Sequence, residues 1–151
     1  MEGPFSNSLL KAGEPGNTVP MEWERRVDLS VILEEKEGAL AHLLRTARQA
    51  GVDPTGICGF LWGSYPLVHV LVGDPEKREI FESAGFDVRA ESEVLVLRGE
   101  GQMELLSRAS KLLTDSGIRL DICYLTADGG VAIGVDDFHR AQAVMDLWSQ
   151  I

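Results

Sequence analysis

Apolar residues alternate along the start of the folded chain and then switch to a longer period. Val27, Leu29, Val31 and Leu33 alternate with polar Asp28 and Ser30, and a period of two predicts a strand. Leu40, Leu43, Leu44, Ala47 and Ala50 then recur at helical spacing, predicting an amphipathic helix that stops at Gly51. Gly38 lies between the two as a tight turn at the helix N-terminus. The first backbone N–H groups of a helix lack intrahelical partners and can hold an anion such as a carboxylate.

The pattern continues with a strand over 52–61, bent near Pro54 and Gly56, a turn at 62–66 and a strand over 67–72. Asp74 and Pro75 read as the N-cap and first position of a helix that carries Ile80, Phe81 and Ala84 and ends at Gly85. A short strand over 86–90 closes a β-α-β-β-α-β order, the split βαβ of a ferredoxin-like sheet. The design then repeats: strand 93–98, loop 99–101, helix 103–116, strand 118–126, hairpin turn 127–130 and strand 131–135. A last helix, capped by Asp136, carries Phe138, Ala141, Val144, Met145 and Trp148. GVDPTGIC recurs as GIRLDIC, and VLVGD as AIGVDD, in matching order. Each unit is near the size at which a lone core is marginal, so two would gain by sharing an interface.

The expected fold is therefore α+β: two ferredoxin-like modules in tandem, with antiparallel sheets, helices on one face, and no last strand in the second. Their expected limits are 25–91 and 92–151, after a tail over 1–24 with scattered Gly, Pro, Asn and Ser. Phe5, Leu9, Leu10 and Trp23 of that tail can dock on the folded body.

Charge and composition narrow the partners. A formal net charge of −10 over 151 residues argues against nucleic acid and anionic membrane, which attract positive patches. No apolar run reaches membrane-spanning length, and no basic segment followed by an apolar stretch opens the chain. Two cysteines, Cys58 and Cys123, make no disulfide framework and have no CxxC or nearby His for a metal. The expectation is a cytoplasmic protein with free thiols, no cofactor and no metal. No phosphate loop, dinucleotide fingerprint or nucleophile signature is present, so no catalytic residue is assigned and an enzyme is not expected.

The tandem pattern resembles ACT domains, small ligand-binding regulatory modules, and most of all stand-alone proteins made of two such modules. The resemblance rests on LEEKEGAL at 33–40, GVDPTGIC at 51–58, VLVGDP at 70–75 and LRGEGQMELL at 97–106. It implies a non-catalytic regulatory protein that binds an amino acid or similar small molecule where modules meet. The signal would pass through a homo-oligomer, a dimer, or through a partner protein. It points to Glu35, Lys36, Glu37, Gly38, Ala39 and Leu40 in the first loop and to Gly99, Glu100, Gly101 and Gln102 in the second. On the second strands it points to Asp53, Thr55, Asp121 and Ile122. Amides after Gly38 or Gly101 would receive the ligand carboxylate, and Asp53 or Asp121 its ammonium group.

Each of these residues also has a plainer reading: a tight turn for the glycines, a solvated strand end for the aspartates, a buried structural thiol for the cysteines. His42 falls off the apolar stripe of its helix, and His69 reads as a buried, hydrogen-bonded histidine. Trp62 and Tyr65 are expected to pack on a sheet edge, or else to line a pocket. The alternative function is a structural protein–protein interaction module without ligand.

Overall fold

A computed structural model describes residues 20–34, 36–99 and 101–151. Most of the expected tail lies outside these residues. Among the described residues are six strands and four helices, and the α+β ferredoxin-like design is borne out. In chain order they are β1 (Glu22–Ile32), α1 (Ala39–Gln49), β2 (Gly56–Trp62), β3 (Tyr65–Val72), α2 (Lys77–Ser83), β4 (Asp87–Arg98), α3 (Gln102–Asp115), β5 (Leu120–Leu125), β6 (Val131–Val135) and α4 (Phe138–Ser149).

The chain divides into two compact units. One holds residues 25–94, the other 95–151 together with the described residues 20–24. In the first unit the strand order is β2-β3-β1-β4, and β3 pairs antiparallel with both neighbours, Ser30 and Cys58 standing opposite His69. Val27, Leu29 and Val31 of β1, with Val68, Val70 and Val72 of β3, turn one face onto Leu43 and Ala47 of α1 and Phe81 of α2. Each large side chain so buried contributes roughly 1.5–3 kcal/mol of transfer free energy.

In the second unit the order is β1-β4-β6-β5, with Leu95 opposite Ile133 and Cys123 also opposite Ile133 from the other side. Leu105, Ala109 and Leu113 of α3 and Ala141, Met145 and Trp148 of α4 cover Leu95, Leu97, Val131 and Ile133. α4 is the last element described in this unit. The fourth place in the sheet is taken by the first residues of β1. Met21 is buried in this core, Trp23 packs on it, and Trp23 Nε1 donates to Asp146 Oδ1 at 2.9 Å.

Several boundaries differ from the sequence reading. The expected strands 86–90 and 93–98 form one strand, β4, because no Gly, Pro, Asn or Asp lies between them to force a turn. β1 begins at Glu22, not Val27, since Met21 and Trp23 have a core to enter. β2 begins at Gly56, so Asp53 and Thr55 precede the strand rather than lie on it; Val52 N–H still bonds Ala47 O beyond the end of α1. The turn after β2 is only Gly63–Ser64, and Trp62 and Tyr65 pair as strand residues that stay exposed instead of packing on the edge. α2 starts at Lys77, because Asp74 folds its side chain onto Glu76 N–H and closes a turn first. α4 is capped by Asp137, whose carboxylate accepts from Arg140 N–H, while Asp136 accepts from Arg119 N–H.

Candidate functional site

The two helix tips singled out by the repeat are built differently. At the first, Gly38 is left-handed with φ +81°, no side chain among the described residues caps the helix, and its first turn carries no acid. Ala39 N–H bonds Lys36 O and His42 N–H bonds Gly38 O, which leaves Leu40 and Ala41 N–H at the tip without intrahelical acceptors. Lys36 Nζ stands 3.1 Å from Glu34 Oε2, an exposed pair that softens the charge of the loop.

A cavity of about 260 Å³ opens beside this tip, lined by Leu33, Glu34, Lys36, Ala39, His42 and Phe86 among others. His42 is exposed, as its position off the apolar stripe predicts, and its ring tilts against Phe86 with centroids 5.0 Å apart. Of the loop residues expected to bind, Lys36 and Ala39 reach the cavity wall; Glu35 lies outside the described residues.

At the second tip, Gly101 also has a positive φ, but Glu104 in the first turn folds back toward it. A Cβ at Gly101 would meet Glu104 Cβ at 3.7 Å and Oε2 at 3.9 Å. Glu104 Oε1 is buried without a hydrogen-bond partner among the described residues. Gln102 is committed elsewhere: its Nε2 donates to Thr126 O at 3.1 Å and to Gly130 O at 2.9 Å, tying α3 to the β5–β6 turn. Gly99 is close to Leu105, 3.2 Å from where a Cβ would stand. Glu100 lies outside the described residues.

An acidic network completes this end of the second unit. Arg98 donates to Asp128 Oδ2 from both Nε and Nη2 and pairs with Glu24, which raises its affinity for its proton. The Thr126 hydroxyl at 2.5 Å, and then Arg98, hold the Asp128 carboxyl below the usual aspartate value. Arg98 is therefore fully engaged and offers no cation to a ligand.

The expected strand residues do not join either tip within a unit. Asp53 lines a second, more open groove of about 530 Å³ near the far end of α1, with Leu44, Arg48, Val52, Pro54 and Ile57. Asp121 is exposed and pairs with Arg119 Nε at 2.9 Å; Ile122 stands opposite Gly134.

Sequence reasoning missed the most buried polar pair. Asp28 is 1% exposed on β1, and its Oδ2 lies 2.7 Å from His69 Nδ1, with Ser30 Oγ at 3.3 Å from the same nitrogen. His69 is the buried, hydrogen-bonded histidine expected, and Phe60 stacks on it at 5.8 Å. The signal was available in the register: Asp28, Ser30 and His69 fall on the face away from Val27, Val68 and Val70. Both cysteines are free. No group of three metal-ligating side chains occurs among the described residues, and no described helix is long and apolar enough to cross a membrane.

Two ferredoxin-like units of this topology define the class: an ACT-like fold, as the sequence resemblance implied. Solved structures share it. A protein from Bacteroides thetaiotaomicron matches with TM-score 0.66 at 16% identity, over 82% of this chain and 88% of that one. The ligand-free regulatory subunit of aspartate kinase from Thermus thermophilus matches with TM-score 0.63 at 13% identity, over 88% and 97%. The corresponding subunit from Thermus flavus matches with TM-score 0.62 at 12% identity, over 88% and 97%. No family model matches the chain, and no curated protein matches it by sequence.

Proposed function

We propose that this chain is a non-catalytic regulatory protein that binds an amino acid or similar small molecule beside the tip of α1. It passes the signal on through oligomerisation or a partner protein. The observation that carries this reading is the contrast between the tips. The first is uncapped, free of first-turn acids and open to a cavity; the second is approached by its own Glu104. Unpaired amides and the positive end of the helix suit a carboxylate at Leu40 and Ala41. The fold shared with regulatory subunits of aspartate kinase supports a regulatory role. The residues proposed to serve are Lys36, Gly38, Ala39 and Leu40, with Asp53 receiving an ammonium group only from a neighbouring module. Of the two loops, the first binds.

A thermal-shift screen of the full chain against the amino acids tests this. A ligand at one hundred times its Kd adds about 2.7 kcal/mol, a shift of several degrees in a protein of this size. Ala39→Phe, which fills the cavity wall, removes the shift, and Gln102→Ala at the second loop keeps it. No shift with any amino acid, on protein shown to be folded, removes the amino-acid reading. A ligand-free interaction module is the second reading, favoured by the exposed apolar side chains on β2.

A further inference from the structure

Three neighbouring strands of the first unit bring a carboxylate, an imidazole and a thiol to the sheet face turned away from α1 and α2. Val68 and Val70 of β3 enter the helix-facing core, so His69 between them points to the other face. The antiparallel register sets Ser30 of β1 opposite His69 on one side and Cys58 of β2 opposite it on the other. Side chains directly opposite one another share a face, with Cβ atoms about 4.5–5.5 Å apart. Asp28, two residues before Ser30, lies on that face as well.

The imidazole is held by its β1 edge, since both partners of Nδ1, Asp28 Oδ2 at 2.7 Å and Ser30 Oγ at 3.3 Å, come from that strand. An ionised carboxylate only accepts, so in the neutral ring Nδ1 carries the hydrogen and Nε2 keeps the lone pair. β1 and β2 flank β3 on opposite sides, which turns the ring edge holding Nε2 away from β1 and toward β2. Phe60 of β2 stacks on the ring at an interplanar angle of 24°. The Asp28 and His69 side chains are only 2% and 13% exposed, so water competes little for the pair. Cys58 is half-buried and free, and its thiol makes no hydrogen bond among the described residues. The three do not gather as metal ligands. They form the series of thiol, base and orienting carboxylate that activates a cysteine nucleophile. Cys123 is the internal contrast: it is exposed, and on β5 it stands opposite Ile133.

We infer that Cys58 is a modification site, where His69, oriented by Asp28, draws off the thiol proton as the sulfur attacks a low-molecular-weight disulfide. Nε2 of His69 takes the proton, and the thiolate of Cys58 bonds to one sulfur of the reagent. The S–S bond of the reagent breaks, and its second sulfur leaves as a thiolate that recovers the proton from the imidazolium. The products are a mixed disulfide on Cys58 and one released thiol, so Cys58 is oxidised and the leaving sulfur reduced. The half-exposed Phe60 ring beside the site offers an apolar surface to the group so attached. This chemistry is independent of ligand binding at the tip of α1.

Dithiodipyridine, a neutral disulfide whose released thiopyridone absorbs light, tests this on the full chain at neutral pH. The Cys123→Ser protein reports Cys58 alone, and the Cys58→Ser protein reports Cys123 alone. Exposure by itself makes Cys123 the faster thiol. The expected result is the reverse, with Cys58 reacting about tenfold faster or more. Adding His69→Gln to the Cys123→Ser protein is expected to remove that advantage, whereas adding it to the Cys58→Ser protein leaves the Cys123 rate unchanged. A Cys58 rate no greater than that of Cys123 overturns the proposal, and so does a folded His69→Gln variant in which Cys58 stays fast. If His69→Gln does not fold, the comparison of the two thiols is joined by a second one, of Cys58 in the native protein and in urea. A Cys58 thiol faster when folded than unfolded supports activation by its surroundings, and one slower when folded overturns it.

Discussion

At the scale of single residues, burial decides which polar groups matter. Asp28 looks like one more polar position in an alternating strand, yet the sheet takes its carboxylate out of water and sets it on His69. Removing the ring leaves that carboxylate without its imidazole partner and opens space. His69→Ala is therefore expected to lower the unfolding free energy by about 2–4 kcal/mol. Urea unfolding measures it, and a loss within error would deny the pair any structural weight. Asp128 makes a pH prediction. The Thr126 hydroxyl and Arg98 hold its folded pKa below the unfolded one, so its stabilisation is present above the ordinary aspartate value and fades as pH falls through the lower, folded value. In acid titrations the wild type should lose its advantage over Asp128→Asn below about pH 4. A gap that stays constant with pH would place the effect elsewhere.

At the scale of elements, most types were readable in the sequence and most errors were at their ends. Apolar period announced all four helices, because one face of each must enter a core. Ends are set by local competition that pattern does not show: Asp74 closes a turn before α2, and Glu91–Ser92 lets two expected strands run on as one. Two glycines of the turns differ in a testable way. Around Gly38 a Cβ meets nothing within 4 Å, so Gly38→Ala pays only for the left-handed backbone, about 1 kcal/mol. At Gly130 a Cβ would stand 2.8 Å from Leu97 O and 2.8 Å from Thr126 Oγ1. Gly130→Ala should cost more, about 2–3 kcal/mol, because the turn must move off β4. Chemical denaturation of the two variants side by side checks the order, and an equal or reversed cost refutes it.

At the scale of the whole molecule, the duplication was legible because each half repeats the same order of strand, glycine turn and helix. How the second unit completes itself was not. Met21 and Trp23 belong to its core although more than seventy residues separate them from Leu95. Met21→Ala is expected to cost about 2–4 kcal/mol and to speed amide exchange in α3 and β6 before β3. Equal exchange in both units would contradict that assignment. The candidate site divides along the same line. Gly38, its loop and the amphipathic helix behind it follow from spacing alone, since a strand-to-helix turn and an apolar stripe are local demands on the backbone. That one tip stays open while Glu104 leans over the other, that Gln102 ties down a hairpin, and that Asp53 lies beyond reach of the loop in its own unit depend on where distant backbone segments arrive. Period and turn chemistry act over a few neighbours, so the sequence alone settled the kinds of element and their repetition. Which polar groups are buried, paired or left open is settled by contacts between residues far apart in the chain, and only the folded structure contains those.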